Sequence, residues 1–274
     1  LFKQSNTVLL DGGMGTMLQA RGLPVGAAPE TAALEHPEWL REIHSAYLDA
    51  GSQIVYANTF GANREKLAHC GRTVAEVVPA AVSVAREAAR GRGLVALDVG
   101  PIGQLLEPTG TLRFEEAVDI FAQTVRAGVQ AGADLILIET MTDLQEARAA
   151  LLAAKENSSL PVIVTMTYEE RGRTFLGCDP ASAALTLEGM GADAIGVNCS
   201  LGPREMPPLV RELTRWSTLP IAIKPNAGLP DPGGAGYDIT AEEFAGSMAE
   251  LTGLGVKLYG GCCGTTPEYI ALLR

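Results

Sequence analysis

Eight short apolar runs recur along this chain, each followed by a polar or glycine-rich turn and then by a stretch with helical spacing. The runs cover residues 8–10, 54–57, 94–97, 135–138, 162–166, 194–197, 221–223 and 256–259. They are rich in Val, Ile and Leu and too short for buried helices, so they read as strands. Between them, Pro37–Ala50 sets Trp39, Leu40, Ile43, Tyr47 and Leu48 on one side, and residues 114–131 place Phe114, Ala117, Val118, Phe121, Val125 and Val129 at helical spacing. Residues 74–90 are alanine-rich, with Pro79 an awkward guest in a helix. Asp143 is a fitting N-cap for Leu144–Asn157, and Thr240 with Glu243 forms a capping-box pattern ahead of residues 241–254. Gly51, Gly132, Gly191 and Gly255 each stand where a helix should end before the next strand.

Eight such units over about 250 residues predict a (β/α)8 TIM barrel, with a doubly wound open sheet as the alternative. No linker or low-complexity segment divides the 274 residues, so 1–274 is expected to form one domain. The chain opens on Leu1 rather than methionine, which suggests a trimmed start or a piece of a longer protein. In a barrel the active site gathers at the C-terminal ends of the strands. Asp11, Asn58, Asp98, Glu139, Cys199, Asn226 and Cys262 all fall there.

The strongest chemical signal is Gly260-Gly261-Cys262-Cys263-Gly264 near the end. Adjacent cysteines make a strained disulfide with each other. Both can bind one metal ion if the backbone bends, and Gly260, Gly261 and Gly264 offer that freedom. Strands six and eight flank strand seven, so Cys199 can meet the pair. Three thiolates and one open position describe a catalytic Zn2+ site better than a structural one. The competing reading is a set of buried core thiols, and Cys70 and Cys178 are read that way. A thiolate-rich zinc ion is a poor generator of hydroxide. It suits holding a substrate thiol, whose free pKa is about 8.5, in its deprotonated and nucleophilic form. That favours alkyl transfer to sulfur.

The turn Asp11-Gly12-Gly13-Met14-Gly15-Thr16 lacks the spacing of a dinucleotide or nucleotide loop. Its backbone N–H groups could receive a carboxylate, while Asp11 and Glu139 could hold an ammonium group, which together describe an amino-acid binder. Asp11 could instead serve as a helix N-cap. Asn226 could fill the fourth metal position until a thiol displaces it, or could only turn the chain after Pro225.

Composition narrows the partners. A net charge of -11 argues against nucleic acid. No apolar stretch reaches the roughly 20 residues of a membrane span, and no signal peptide opens the chain. Five cysteines without small-domain pairing suggest a reducing cytoplasm.

Six stretches, DGGMGTML from Asp11, ETMTD from Glu139, GCDP from Gly177, GVNCSLGP from Gly196, PNAGL from Pro225 and GGCCGTTP from Gly260, resemble the homocysteine S-methyltransferase family. The last two forms are most similar to the homocysteine domain of the cobalamin-dependent methionine synthases. The resemblance runs from about Val8 to the end and departs at Cys178, where threonine or serine is expected. It implies that Cys199, Cys262 and Cys263 ligate Zn2+. It also implies that Asp11 and Glu139, with the backbone around Gly15 and Thr16, bind homocysteine on the way to methionine. No Asp-x-His-x-x-Gly motif occurs, so cobalamin is expected on a partner domain or protein, as is a folate-binding domain. A stand-alone enzyme using S-methylmethionine is the alternative. From a different class come a Schiff-base lyase using Lys224, and a non-catalytic zinc or redox module.

Overall fold

The computed structural model describes residues 7–229 and 236–274; residues 1–6 and 230–235 of the expected 1–274 domain lie outside the described residues. All eight apolar runs are strands: β1 (Val8–Leu9), β2 (Ile54–Tyr56), β3 (Leu94–Val99), β4 (Leu135–Met141), β5 (Val162–Met166), β6 (Ala194–Asn198), β7 (Ile221–Lys224) and β8 (Val256–Tyr259). They pair in parallel in the order β1-β8-β7-β6-β5-β4-β3-β2. This is the expected barrel, nearly closed. The seam between β1 and β2 has no ladder of its own. There the Gln53 N–H donates to the Leu9 carbonyl at 2.7 Å, and Gln53 Oε1 accepts from the Leu9 N–H at 3.0 Å. Higher up, the Tyr56 N–H donates to Asp11 Oδ2 at 2.8 Å.

Two apolar layers follow from strand alternation. Val8, Leu10, Ile54, Ala96, Leu135, Leu137, Ile163, Ala194, Ala222 and Leu258 form a small separate cluster inside the barrel. Their strand neighbours, such as Val95, Leu97, Ile136, Val164 and Ile223, belong to the larger cluster shared with the helices. Counting two residues onward from the inner set gives Asp98, Glu139, Thr165, Lys224 and, after Gly196, Asn198. All five are buried. The interior is therefore an apolar floor capped by a polar layer at the strand ends, and that layer carries the site.

The helices match their sequence signals closely. Pro37–Ala50 and Leu144–Asn157 have the expected bounds, and Asp143 accepts from the Gln145 N–H at 2.8 Å. Thr240 and Glu243 form the capping box of Ala241–Thr252. Gly51, Gly132, Gly191 and Gly255 take positive φ at helix ends. Pro79 sits inside Val74–Ala89. The carbonyl it deprives of a donor belongs to Ala75, an exposed residue, so water can satisfy it. Two of the helices of ten or more residues carried no clear signal, Pro180–Gly189 and Met206–Trp216. Among the described residues no helix is long and apolar enough to cross a membrane.

Candidate metal centre and substrate pocket

Strand seven is the spine of the cysteine site. Its Lys224 carbonyl accepts from the Cys199 N–H at 3.0 Å, the following Pro225 carbonyl accepts from the Cys262 N–H at 2.8 Å, and the Ala227 N–H donates to the Cys263 carbonyl at 3.0 Å. Both cysteine loops are thus fastened to one strand end. Their sulfurs converge: the Sγ atoms of Cys199, Cys262 and Cys263 all lie within 4.8 Å of one another, with Cys199 and Cys263 at 4.0 Å. Zinc with Zn–S bonds of about 2.3 Å in tetrahedral geometry sets its sulfurs about 3.8 Å apart. The trio fits such an ion with little adjustment, and a thiolate set is the donor chemistry zinc prefers. Hydrogen bonds shared with Cys199 and Cys262 hold the Cys263 thiol well below its ordinary pKa.

The bending expected of the glycines falls on only one of them. Only Gly264 of the three takes positive φ, at 81°. Gly260 and Gly261 are needed for close approach: a Cβ would lie 2.7 Å from the Asp11 carbonyl oxygen and 2.3 Å from Thr265 Oγ1, respectively. The left-handed backbone is carried instead by Cys199 and Ser200, both at φ 60. Strain of this kind persists where surrounding structure enforces it.

Beside the sulfurs lies a cavity of about 360 Å³ lined by Asp11, Gly15, Thr16, Asp98, Glu139 and Lys224 together with the three cysteines. Asn226 is not among its lining residues; it is buried, and its Oδ1 has no partner among the described residues. Lys224 is the surprise. Its Nζ donates to Glu139 Oε2 at 3.2 Å, lies 3.7 Å from Asp11 Oδ1, and sits 3.5 Å above the Tyr56 ring. The two carboxylates read as an ammonium site already hold an ammonium, that of the protein itself.

Burial by itself lowers the Lys224 pKa, but Glu139, Tyr56 and Asp11 outweigh it and the net direction is up. Lys224 is therefore held charged and is not the free amine that a Schiff base requires. Burial pushes Asp11 up to about 7 against the pull of Lys224. It raises Glu139 as well, and it raises Asp98 with help from Glu139. Three carboxyl groups face one ammonium, and Asp11 Oδ1, Asp98 Oδ1 and Thr16 Oγ1 are buried without hydrogen-bond partners. Asp11, Asp98 and Thr16 thus each keep a buried oxygen available to a polar ligand.

Two polar residues around the centre had no assigned role in the sequence. Tyr237 packs its ring on Gly264 and hydrogen-bonds Cys263. Asn198, the last residue of β6, is fully buried against Thr140 and Cys262. The signal that could have found Asn198 is its two-residue step from the inward-facing Gly196. Cys70 is exposed at a helix end, and Cys178 is half-buried with its thiol donating to the Asp179 carbonyl. Neither lines the cavity.

Comparison with known proteins agrees with this geometry. The family model of the homocysteine S-methyltransferases matches residues 8–274. The methionine synthase of Mycobacterium tuberculosis is 33% identical over 282 residues, which cover 95% of this chain and 24% of that protein. The Mycobacterium leprae methionine synthase is 32% identical with 23% of its length covered, so the chain spans about a quarter of these relatives. Among solved structures, the metallated form of the Escherichia coli homocysteine methyltransferase MmuM superposes with a TM-score of 0.86 at 25% identity, covering 98% of this chain and 96% of that one. Its apo form gives a TM-score of 0.78 at 26% identity. The chain belongs to the homocysteine S-methyltransferase family.

Proposed function

We propose that the 1–274 chain acts as one homocysteine-binding barrel that presents the homocysteine thiol for methylation to methionine. The observation that carries this reading is the convergence of three cysteine sulfurs on a cavity lined by three carboxyl groups and Lys224. Cys199, Cys262 and Cys263 would hold Zn2+. An ion held there would offer an open position to a substrate thiol and would favour its deprotonated form at neutral pH. Asp11 and Glu139, with Asp98 beside them, receive the substrate ammonium, and Thr16 with the backbone at Gly15 receives its carboxylate. Before substrate arrives, the unpartnered Oδ1 of Asn226 is a candidate for the fourth metal position. In the transfer the sulfur lone pair forms the new S–C bond. The methyl group leaves its donor without its bonding electrons, and the thiol proton is lost.

The donor in this reading is methylcobalamin carried by a partner domain that is recharged by a folate-binding one. It is supported by the methionine synthase relatives, of which this chain covers about a quarter. The barrel mouth supports it too. Phe175 is 65% exposed, and Leu105, Leu176 and Leu229 stand exposed on the loops after β3, β5 and β7. These apolar side chains offer a docking rim for a large donor. The alternative, a small sulfonium donor such as S-methylmethionine, is favoured by the likeness to MmuM, nearly all of which the chain covers. The test is X-ray absorption on the zinc-loaded protein with and without homocysteine, followed by transfer assays with each donor. Three sulfurs and one lighter atom should become four sulfurs when homocysteine binds. Three sulfurs in both states would remove substrate-thiol binding from the reading.

A further inference from the structure

We infer that Asn198 is a positioning residue that locks the substrate-binding Glu139 and the cysteine centre into one arrangement; this rests on the reading of the pocket given above. Its carboxamide is fully buried and its hydrogen-bonding capacity is fully engaged. Oδ1 accepts from the Thr140 N–H at 2.8 Å and from Thr165 Oγ1 at 2.7 Å. Nδ2 donates to Thr140 Oγ1 at 2.7 Å and lies 3.9 Å from Cys262 Sγ. One side chain thus joins β4, β5, its own β6 and the loop after β8.

Two of these contacts hold Thr140 from both its backbone and its hydroxyl. Thr140 has φ 61, a left-handed conformation that a β-branched residue rarely adopts. The strand register shifts across this same place, between Ile138 and Met141. Glu139 is the residue before it. Relaxation of Thr140 toward an extended backbone would straighten the bulge and carry Glu139 off Lys224 and out of line with the cavity. The remaining N–H of Asn198 points toward Cys262, where a donor orients the sulfur and spreads its negative charge. Partners of this kind set metal affinity although they do not touch the metal. Asparagine suits the place because it brings two acceptor and two donor directions in one plane. Aspartate keeps the shape but loses both donors and adds a negative charge beside a thiolate.

The experiment compares Asn198→Ala, Asn198→Asp, Thr140→Gly and the Thr140→Gly/Asn198→Ala double variant with wild type. It reads zinc affinity by chelator competition without substrate, KM and kcat for homocysteine, and thermal unfolding. Asn198→Ala should weaken zinc binding about tenfold and raise the homocysteine KM about tenfold. Glycine adopts φ near 60° without strain, so in the Thr140→Gly background Asn198→Ala should leave KM within about twofold of Thr140→Gly alone, while the zinc loss persists. If Asn198→Ala does not fold, the isosteric Asn198→Asp carries the zinc arm and should also bind zinc more weakly. Wild-type zinc affinity in a folded Asn198 variant would overturn the link to Cys262. An Asn198→Ala effect on KM of the same size in both backgrounds would overturn the backbone lock. Failure of the parent reading looks different: wild-type protein would then not methylate homocysteine with either donor, whatever Asn198 does to zinc.

Discussion

Lys224 keeps a full positive charge in a place with almost no solvent, and it does so between two acids and an aromatic face. Its effect on those acids is the main electrostatic lever in the pocket, because Lys224 lowers both Asp11 and Glu139 against the upward push of burial. An ammonium substrate needs these acids ionised, and Asp11 ionises only near pH 7. The homocysteine KM should therefore fall as pH rises through about 7. In Lys224→Met that limb should move to higher pH, as a pH series of kcat/KM would reveal. An unmoved limb would mean that Lys224 is not their counter-ion. Asp11→Asn and Glu139→Gln should raise KM by roughly one to two decades, the worth of a charge-assisted hydrogen bond of about 1.5–3 kcal/mol, while zinc stays bound. Cys199→Ala should lose zinc by elemental analysis but keep its circular dichroism, since the barrel core is built without the ion. Full zinc in that variant would undo the ligand assignment.

Single elements carry a different kind of constraint. The cysteine loop turns at Gly264, where φ is 81° and a Cβ would meet the Tyr237 ring at 2.2 Å. Gly264→Ala should lower the melting temperature and weaken zinc binding together, with the ligands untouched. Farther out, Glu146 on the Leu144–Asn157 helix accepts from the Ile102 N–H at 2.7 Å, and burial pushes its carboxyl up to about 7. A folded pKa above the unfolded one means that the folded state holds the proton longer. Stability from this group is full below about pH 4.5 and declines as pH rises through 7. Glu146→Gln, neutral at every pH, should melt higher than wild type at pH 8 and about equally at pH 4.5; equal melting at both would show Glu146 ionises freely. The sequence announced most such elements because their signals are local: a cap and its helix, a glycine and the turn it closes, a strand and its next polar residue. The Lys224–Glu139 pair was hidden because 85 residues separate its partners. Their contact depends on strand register, which no local pattern displays. The Thr140 bulge was hidden for a related reason, since threonine signals an ordinary strand and its left-handed backbone is held by a hydrogen bond to Asn198, two strands away on β6.

Over the whole molecule, the apolar floor, the polar cap and the exposed apolar rim stack along one axis, so everything reactive faces one mouth. Replacing Phe175 on that rim with serine should slow transfer from a protein-borne donor and leave both zinc content and homocysteine affinity unchanged. Equal loss with a small sulfonium donor would make the rim a structural feature rather than a dock. The seam between β1 and β2 has a consequence of another sort. One oxygen of Asp11 accepts from the Tyr56 N–H across that gap, and the other lies 3.7 Å from Lys224 Nζ beside the cavity that Asp11 lines. The residue proposed to meet the amino acid is also the clasp of the ring. Pulling on one oxygen is felt at the other, so the Tyr56 amide becomes a built-in gauge of occupancy, and its hydrogen-exchange rate should change as homocysteine fills the pocket.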